Sequence, residues 1–395
     1  MTPGGGRGQN LMKNPRIYLD YNATAPLLPI AREAMLDVLA MPGNPSSVHS
    51  EGRKVRARVD DARRKVAALV NASPENVVFT SGATEAASTL LSPLYRMGRS
   101  NIDIGHLYYS AVEHPCVTSG GRFPADRITS IDVDSQGRVD LGHLKALLDQ
   151  HDSASGMPMV AVMLANNETG VIQPVADVSG LVKAAGGLLI GDAVQAAGRI
   201  PIDMQTPGAD FIFLSSHKMG GPKGAGAIVA QGEIMMPAPL ITGGGQEKGH
   251  RSGTENPAAL AGFGAVAQAA LEGMDTMQKV ARLRDRMEQD IRMAVPDAII
   301  YGGESRRLPN TSFFALPGFK AETAQIAFDL EGVALSAGSA CSSGKIGPSH
   351  VLKAMGMDAD QGALRVSLGP ATTEEEIDRF VSILKRISEK RTLAV

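Results

Sequence analysis

Ala209-Asp210-Phe211-Ile212-Phe213-Leu214-Ser215-Ser216-His217-Lys218 runs on into Met219-Gly220-Gly221-Pro222-Lys223-Gly224. The apolar run from Phe211 to Leu214, bounded by an acid and by serines, reads as a buried strand. It ends in Ser-Ser-His-Lys, and the chain then turns on glycine. One lysine therefore stands at the end of a buried strand, beside hydroxyls and an imidazole. Desolvation at such a place favours the neutral amine, which attacks carbonyl groups. A solvated lysine at a strand end would leave the same pattern, so the stretch speaks first for a fold class and only then for a chemistry.

Similar runs surround it. Val77-Val78-Phe79-Thr80, Met159 to Leu164, Leu188-Leu189-Ile190 and Ala227 to Ala230 also read as buried strands. Helical patterns lie between them. One runs from about Arg53 to Val70, with Val55, Val59, Ala62, Val66 and Leu69 on one face. Its other face carries Arg56, Arg63, Arg64 and Lys65 and reads as solvated. Strands alternating with helices predict an α/β domain with a mainly parallel sheet flanked by helices.

The pattern changes near residue 260. Ala-rich and amphipathic helices run from about Pro257 to Ala294, followed by strand-like pieces around Thr311 to Ala315 and Val333 to Ser336. A last helix has Thr373 and Glu376 as a capping box, with Ile377, Phe380, Leu384 and Ile387 as its stripe. We expect a flexible tail over 1–16, a large domain over 17–264, and a smaller α+β domain over 265–395. The first residues of the large domain are expected to pack on the small one.

The chain of 395 residues sets 39 Lys and Arg against 41 Asp and Glu, a net charge of -2. That balance gives no global attraction to nucleic acid or to an anionic membrane, and neither partner is expected. No apolar run reaches the roughly 18 residues of a membrane span. Met1 to Asn14 is Gly-rich and lacks an apolar core, so it does not read as a signal peptide. Cys116 and Cys341 are the only cysteines. So few cysteines point to a reducing compartment, expected to be the cytoplasm, and their number and spacing support no metal site.

Candidate chemistry sits in loops after the predicted strands, where open α/β sheets bind ligands. Thr80-Ser81-Gly82-Ala83-Thr84-Glu85 reads as strand, glycine and helix start, an anion site built from backbone N–H groups and the Thr84 hydroxyl. An ordinary helix cap has the same look. Glu113-His114-Pro115 offers a histidine, and Ala165-Asn166-Asn167-Glu168 offers amides at the sheet edge or simply a turn. Asp192 follows a buried run and needs a charged partner, which a protonated ring nitrogen would supply. The Gly220 to Gly226 loop and Gly243-Gly244-Gly245 lack the spacing of nucleotide-binding fingerprints. Together these loops and Lys218 suit one molecule carrying an aldehyde, a phosphate and a pyridine nitrogen: pyridoxal 5'-phosphate (PLP). Ala334 to Gly344 is small, polar and glycine-rich and reads as a mobile loop carrying the thiol of Cys341, exposed and suited to thiolate chemistry. Cys116 reads as structural. Arg365, alternating with apolar neighbours, reads either as a clamp for a carboxylate or as a strand-edge ion pair.

At this point the chain resembles the cysteine desulfurases of the NifS/IscS type, in the class V aminotransferase branch of fold-type I PLP enzymes. The resemblance runs from about Tyr18 to Ile387. It rests on Tyr18-Leu19-Asp20-Tyr21-Asn22-Ala23-Thr24, Asn44-Pro45-Ser46-Ser47, Ser81-Gly82-Ala83-Thr84-Glu85 and Asn166-Asn167-Glu168. Further along come Asp192-Ala193-Val194-Gln195, Ser216-His217-Lys218, Arg251-Ser252-Gly253-Thr254 and Ser339-Ala340-Cys341, all in order.

The resemblance implies a role for each matching residue. Lys218 would hold the PLP aldehyde, Asp192 the ring nitrogen, and His114 would stack on the ring and join in proton transfer. Gln195 and Asn167 would bond the ring oxygen or substrate. Ala83, Thr84, Ser215 and His217 would hold the phosphate, and Thr254 would reach the phosphate of a neighbouring subunit, so a homodimer is implied. Arg365 and Asn167 would bind the substrate carboxylate. Cys341 would accept sulfur from L-cysteine, release alanine and pass the sulfur to an acceptor or iron–sulfur scaffold protein. No resident metal is implied, although Cys341 would hand sulfur to, or touch, a cluster on a partner. A selenocysteine lyase or another class V PLP enzyme is the alternative.

Overall fold

The computed structural model describes residues 15–206, 208–232, 235–338 and 348–392. Nearly all of the expected tail, and 339–347 with Cys341, lie outside the described residues, while 334–338, expected as the start of the loop, is partly strand. The chain enters through β1 (Ile17–Tyr18), α1 (Pro29–Leu39) and α2 (Ser50–Leu69). Next come β2 (Val77–Thr80), α3 (Ala83–Leu90), β3 (Leu94–Met97), β4 (Ser100–Ser110), α4 (Pro115–Thr118) and β5 (Ile128–Ile131). α5 (Leu141–Asp149), β6 (Met157–Ala161), α6 (Val175–Ala184), β7 (Leu188–Asp192), β8 (Phe211–Ser215), β9 (Gly226–Ala230) and β10 (Met236–Pro237) follow. β2 to β10 form one nine-stranded sheet in the order β10-β3-β4-β6-β7-β8-β9-β2, with β5 paired to β4.

The pairs β4–β5, β4–β6, β6–β7 and β7–β8 are parallel. β9 runs against both β8 and β2, so β2 points the same way as the parallel set. Thr80, Ser110, Ala161, Asp192 and Ser215 therefore end their strands at one edge of the sheet. β6 to β9 are apolar along nearly their whole length because both faces are covered. Val160, Leu189, Ile212 and Leu214 belong to one core, while Met159, Ile190, Phe211 and Phe213 belong to another on the opposite face. This period-two split is what a strand covered on both sides requires.

The expected boundary at 264/265 falls within one helix. α7 (Pro257–Glu272) is one unbroken helix, packed on α1 and α2 through Leu260, Phe263 and Val266 of the large core. Its small residues permit the approach: a Cβ on Gly264 would lie 2.6 Å from the Ala62 Cα. The Ala-rich composition that looked like a new domain is thus a close-packing face. The core changes between α7 and α8 (Thr276–Ala294), where Met277, Val280, Met287 and Ile291 join a separate cluster.

That cluster is roofed by β11 (Ile299–Ile300), β12 (Thr311–Ala315), β14 (Ser336–Ala337) and β15 (Leu364–Ser367), a sheet ordered β11-β12-β15-β14. α9 (Ala321–Leu330), α10 (His350–Ala354) and α11 (Glu374–Thr392) complete the region. β1 pairs in parallel with β13 (Val333–Ala334), and Ile17 and Leu19 enter this second core. The capping box forms as expected: the Thr373 amide donates to Glu376 and the Glu376 amide to the Thr373 hydroxyl. No described helix is long and apolar enough to cross a membrane.

Candidate cofactor site

The strand ends converge on a cavity of about 390 Å³. At one end is the β2–α3 turn. Gly82 caps α3 without a side-chain hydrogen bond, so the first N–H groups of the helix, with Ala83 and Thr84, face the cavity. Glu85 accepts the Ser81 amide at 2.9 Å and pairs with Arg251 at 3.0 Å, which holds the turn in shape. Ser215 and His217 bring β8 to the same cavity.

The opposite wall is Asp192, at the end of β7. Its Oδ1 accepts the Val194 amide at 2.8 Å. Burial pushes its carboxyl up to about 6, against the pull of that bond and of Lys218. Asn167 lines the cavity as well, and its buried Oδ1 has no hydrogen-bond partner among the described residues.

His114 caps α4, its Nδ1 accepting the Cys116 amide at 3.2 Å. Burial, then Lys218 and His350, pull its pKa down to about 4. The ring is thus neutral, and with Nδ1 an acceptor the proton sits on Nε2. His217 is likewise drawn down to about 4, first by burial and then by Lys218 and Lys223.

Lys218 follows β8 on a short 3₁₀ turn, Ser216–Met219. Its Nζ donates to the main-chain oxygens of Asn22 (2.7 Å) and Ala23 (2.9 Å). Asn22 is itself pinned across the molecule. Its amide donates to Ser367 Oγ at 2.9 Å, its Nδ2 to Thr311 Oγ1 at 3.0 Å, and its Oδ1 accepts from Asn310 at 3.0 Å.

Gln195 lines the cavity but is largely committed. Its Nε2 donates to Asn22 O at 3.1 Å, and its Oε1 accepts from Arg199. One N–H remains to face a ligand. Arg199, buried beneath, also donates toward Lys218 O and Tyr21 O.

Ala83, Thr84, His114, Asn167, Asp192, Gln195, Ser215, His217 and Lys218 are thus brought to one cavity. Two expected residues are not. Thr254 is exposed and off the cavity wall. Arg365 is fully buried in β15, paired with Asp20 at 2.9 Å and donating to Asn167 O at 3.0 Å. It reaches the cavity through the Asn167 main chain, not with its own guanidinium. Cys116, expected to be structural, is buried yet forms part of the cavity wall; burial pushes its thiol far up, away from the thiolate.

Sequence reading missed Asn22, Arg199, Lys223 and Glu113 as site residues. Glu113 is fully enclosed: one carboxyl oxygen accepts the Met163 amide and the other has no partner among the described residues. Burial, reinforced by Asp192, keeps its carboxyl well above the usual range.

The donor set fits PLP on three counts. The buried carboxyl of Asp192 has no cation within hydrogen-bond distance among the described residues, which leaves room for a ring N–H. An uncapped helix start meets Ser215 and Thr84 where a phosphate would sit. A lysine amine stands in the same cavity.

The family model described as aminotransferase class-V matches residues 17–380. A cysteine desulfurase of Nostoc sp. is 37% identical over 387 residues, covering 95% of this chain and 93% of that protein. A cysteine desulfurase of Cereibacter sphaeroides is 40% identical over 383 residues, covering 95% and 96%. The solved NifS-like protein from Rickettsia africae superposes with a TM-score of 0.84 at 32% identity, covering 95% of this chain and 99% of that one.

Proposed function

The chain belongs to the class-V aminotransferase family, and on that premise we propose that it is a PLP-dependent cysteine desulfurase that converts L-cysteine to L-alanine and carries the sulfur on Cys341. One observation carries the reading: a buried carboxylate, an uncapped helix start and a lysine amine share a single cavity at the strand ends.

PLP, when bound, supplies an aldehyde for the substrate amine and a protonated ring that draws electrons from the bonds around the substrate α-carbon. Asp192 would hold the proton on the ring nitrogen, its ionised form favoured once a cation faces it. The α3 start, Thr84, Ser215 and neutral His217 would take the phosphate. Lys218 would hold the aldehyde in the resting enzyme and, once the substrate amine replaces it, carry the α-proton on Nζ. Asn22 O and Ala23 O supply the resting place for that amine. His114 would stack on the ring, with the Nε2 proton directed by its cap bond. Gln195 has one N–H to offer the ring oxygen or substrate. Asn167 would take the substrate carboxylate, with Arg365 steadying it through the bond to the Asn167 main-chain oxygen.

Cys341 would then act as the nucleophile. Its thiolate attacks the substrate sulfur; an S–S bond forms and the C–S bond breaks. The electron pair stays with the carbon fragment, which is protonated and leaves as alanine. A second copy of the chain, meeting Thr254, would complete the phosphate end. A sulfur acceptor or iron–sulfur scaffold protein would take the persulfide, in the cytoplasm. The two hydrophobic cores support a two-domain reading parted at 273–275.

The test adds L-cysteine to the purified protein and measures alanine released and persulfide on Cys341. Both are expected, and Cys341→Ala is expected to abolish sulfur transfer while the bound cofactor keeps its absorption. PLP bound with neither product formed would overturn the reading.

A further inference from the structure

The Gly220 to Gly226 loop, which matches no nucleotide fingerprint, lies against the expected phosphate end. β9 begins at Gly226, paired with Thr80, the last residue of β2. The approach is so close that a Cβ on Gly226 would sit 2.7 Å from Gly82 Cα. The loop is thereby fixed beside the β2–α3 turn, and it places Lys223 and Gly224 on the cavity wall.

Charge decides what Lys223 does there. Among the described residues, four charged side chains line the cavity: Glu85, Asp192, Lys218 and Lys223. Glu85 is neutralised by Arg251. Asp192 stands at the ring-nitrogen end, and Lys218 is committed to the aldehyde. His217, nearest in the chain, is neutral. Helix-start N–H groups and hydroxyls solvate an anion but bring only fractional charge to a dianion. Lys223 makes no ion pair among the described residues, and its positive charge is felt at His217.

We propose that Lys223 is the cation of the phosphate site, a cofactor-binding residue that selects the phosphorylated form of the ligand. The proposal rests on the PLP reading above and adds a residue to it. A lysine suits the place as a compact point charge on a flexible stem at the cavity mouth, where it is solvent-exposed.

The test is equilibrium binding, not turnover. The full-length protein, stripped of cofactor, is titrated with PLP and with pyridoxal, which lacks the phosphate, at low and high salt. Lys223→Met is expected to weaken PLP binding about tenfold or more, the loss of one charge-assisted contact. Its pyridoxal affinity should match wild type, which also shows that the variant is folded. Lys223→Arg should stay within about threefold of wild type, since the charge is kept. Salt should erode the preference for PLP in wild type more than in Lys223→Met. A wild-type PLP-to-pyridoxal ratio in Lys223→Met would overturn the role of Lys223 alone. A wild-type chain that binds neither ligand would overturn the cofactor reading, and this inference with it.

Discussion

Arg199 donates to the side-chain oxygen of Gln195 from beneath the cavity, while its other terminal nitrogen donates toward Lys218 O and Tyr21 O. One buried guanidinium thus sets both a ligand-facing amide and the turn that carries the key lysine. Arg199→Met would strand those acceptors without donors. We expect a stability loss on the order of 3 kcal/mol, read as a lower urea midpoint at unchanged slope. Arg199→Lys should restore part of it, because an ammonium keeps the charge but loses the fork.

Asp192 gives cofactor binding a pH signature. In the cofactor-free fold its carboxyl titrates near 6, against 3.8 for an unperturbed aspartate. Between those values the folded chain keeps a proton that the unfolded chain has lost, so cofactor-free stability falls as pH rises through the window. A ring cation prefers the ionised carboxylate, so PLP affinity should climb as pH rises through about 6. In Asp192→Asn that climb should vanish, and affinity at pH 8 should fall at least about tenfold. Titrating both proteins side by side removes the ionisation of PLP itself from the comparison.

His114 and His217 act with the opposite sign. Both are drawn from 6.5 to about 4 in the fold. As pH falls from 6.5 to about 4 the unfolded chain takes up protons that the folded chain refuses, so stability is lost across that range. His114→Gln should flatten the acid limb of the denaturation curve relative to wild type. An unchanged limb would mean that His114 is charged in the fold.

Arg63 and Glu247 form a two-pronged pair at 2.7 and 2.6 Å, with Glu247 also accepting the Phe79 amide at 2.8 Å. Glu247 holds this position in a left-handed backbone, φ 48°, where a non-glycine residue is strained. The pair secures the 245–254 segment to β2, just ahead of the phosphate turn. Glu247→Gln should cost about 3–5 kcal/mol by urea denaturation, because it leaves the Arg63 charge short of its counter-ion.

Cys116 stands in the cavity wall, yet its thiol is held far from ionisation. Cys116→Ala should leave persulfide formation near the wild-type level, whereas Cys341→Ala removes it. Equal losses would make Cys116 part of the sulfur path.

Lys218, Asp192, Thr84 and Ser215 were legible because each ends or follows a short apolar run, and such runs are strands whose ends meet in a parallel sheet. Asn22, Arg199 and Lys223 were not. Asn22 acquires its role from Ser367, Thr311 and Asn310, partners hundreds of residues away that no local pattern announces. Arg199 is buried under loops that no local pattern announces. Lys223 depends on β9 running back beside β2, a pairing between strands far apart in sequence. The 264/265 boundary falls inside α7 for a related reason: small residues there signal close helix packing as readily as a new domain.

The carbonyls that receive the Lys218 amine belong to residues 22 and 23, and these are held by strands made near the end of the chain. During translation the lysine, the aspartate and the phosphate turn all emerge well before Ser367 does. A ribosome-bound chain halted in between would carry those groups without the anchor for residue 22. The resting place of the amine would then be fixed only by the last strand of the small sheet, which is not among the described residues lining the pocket.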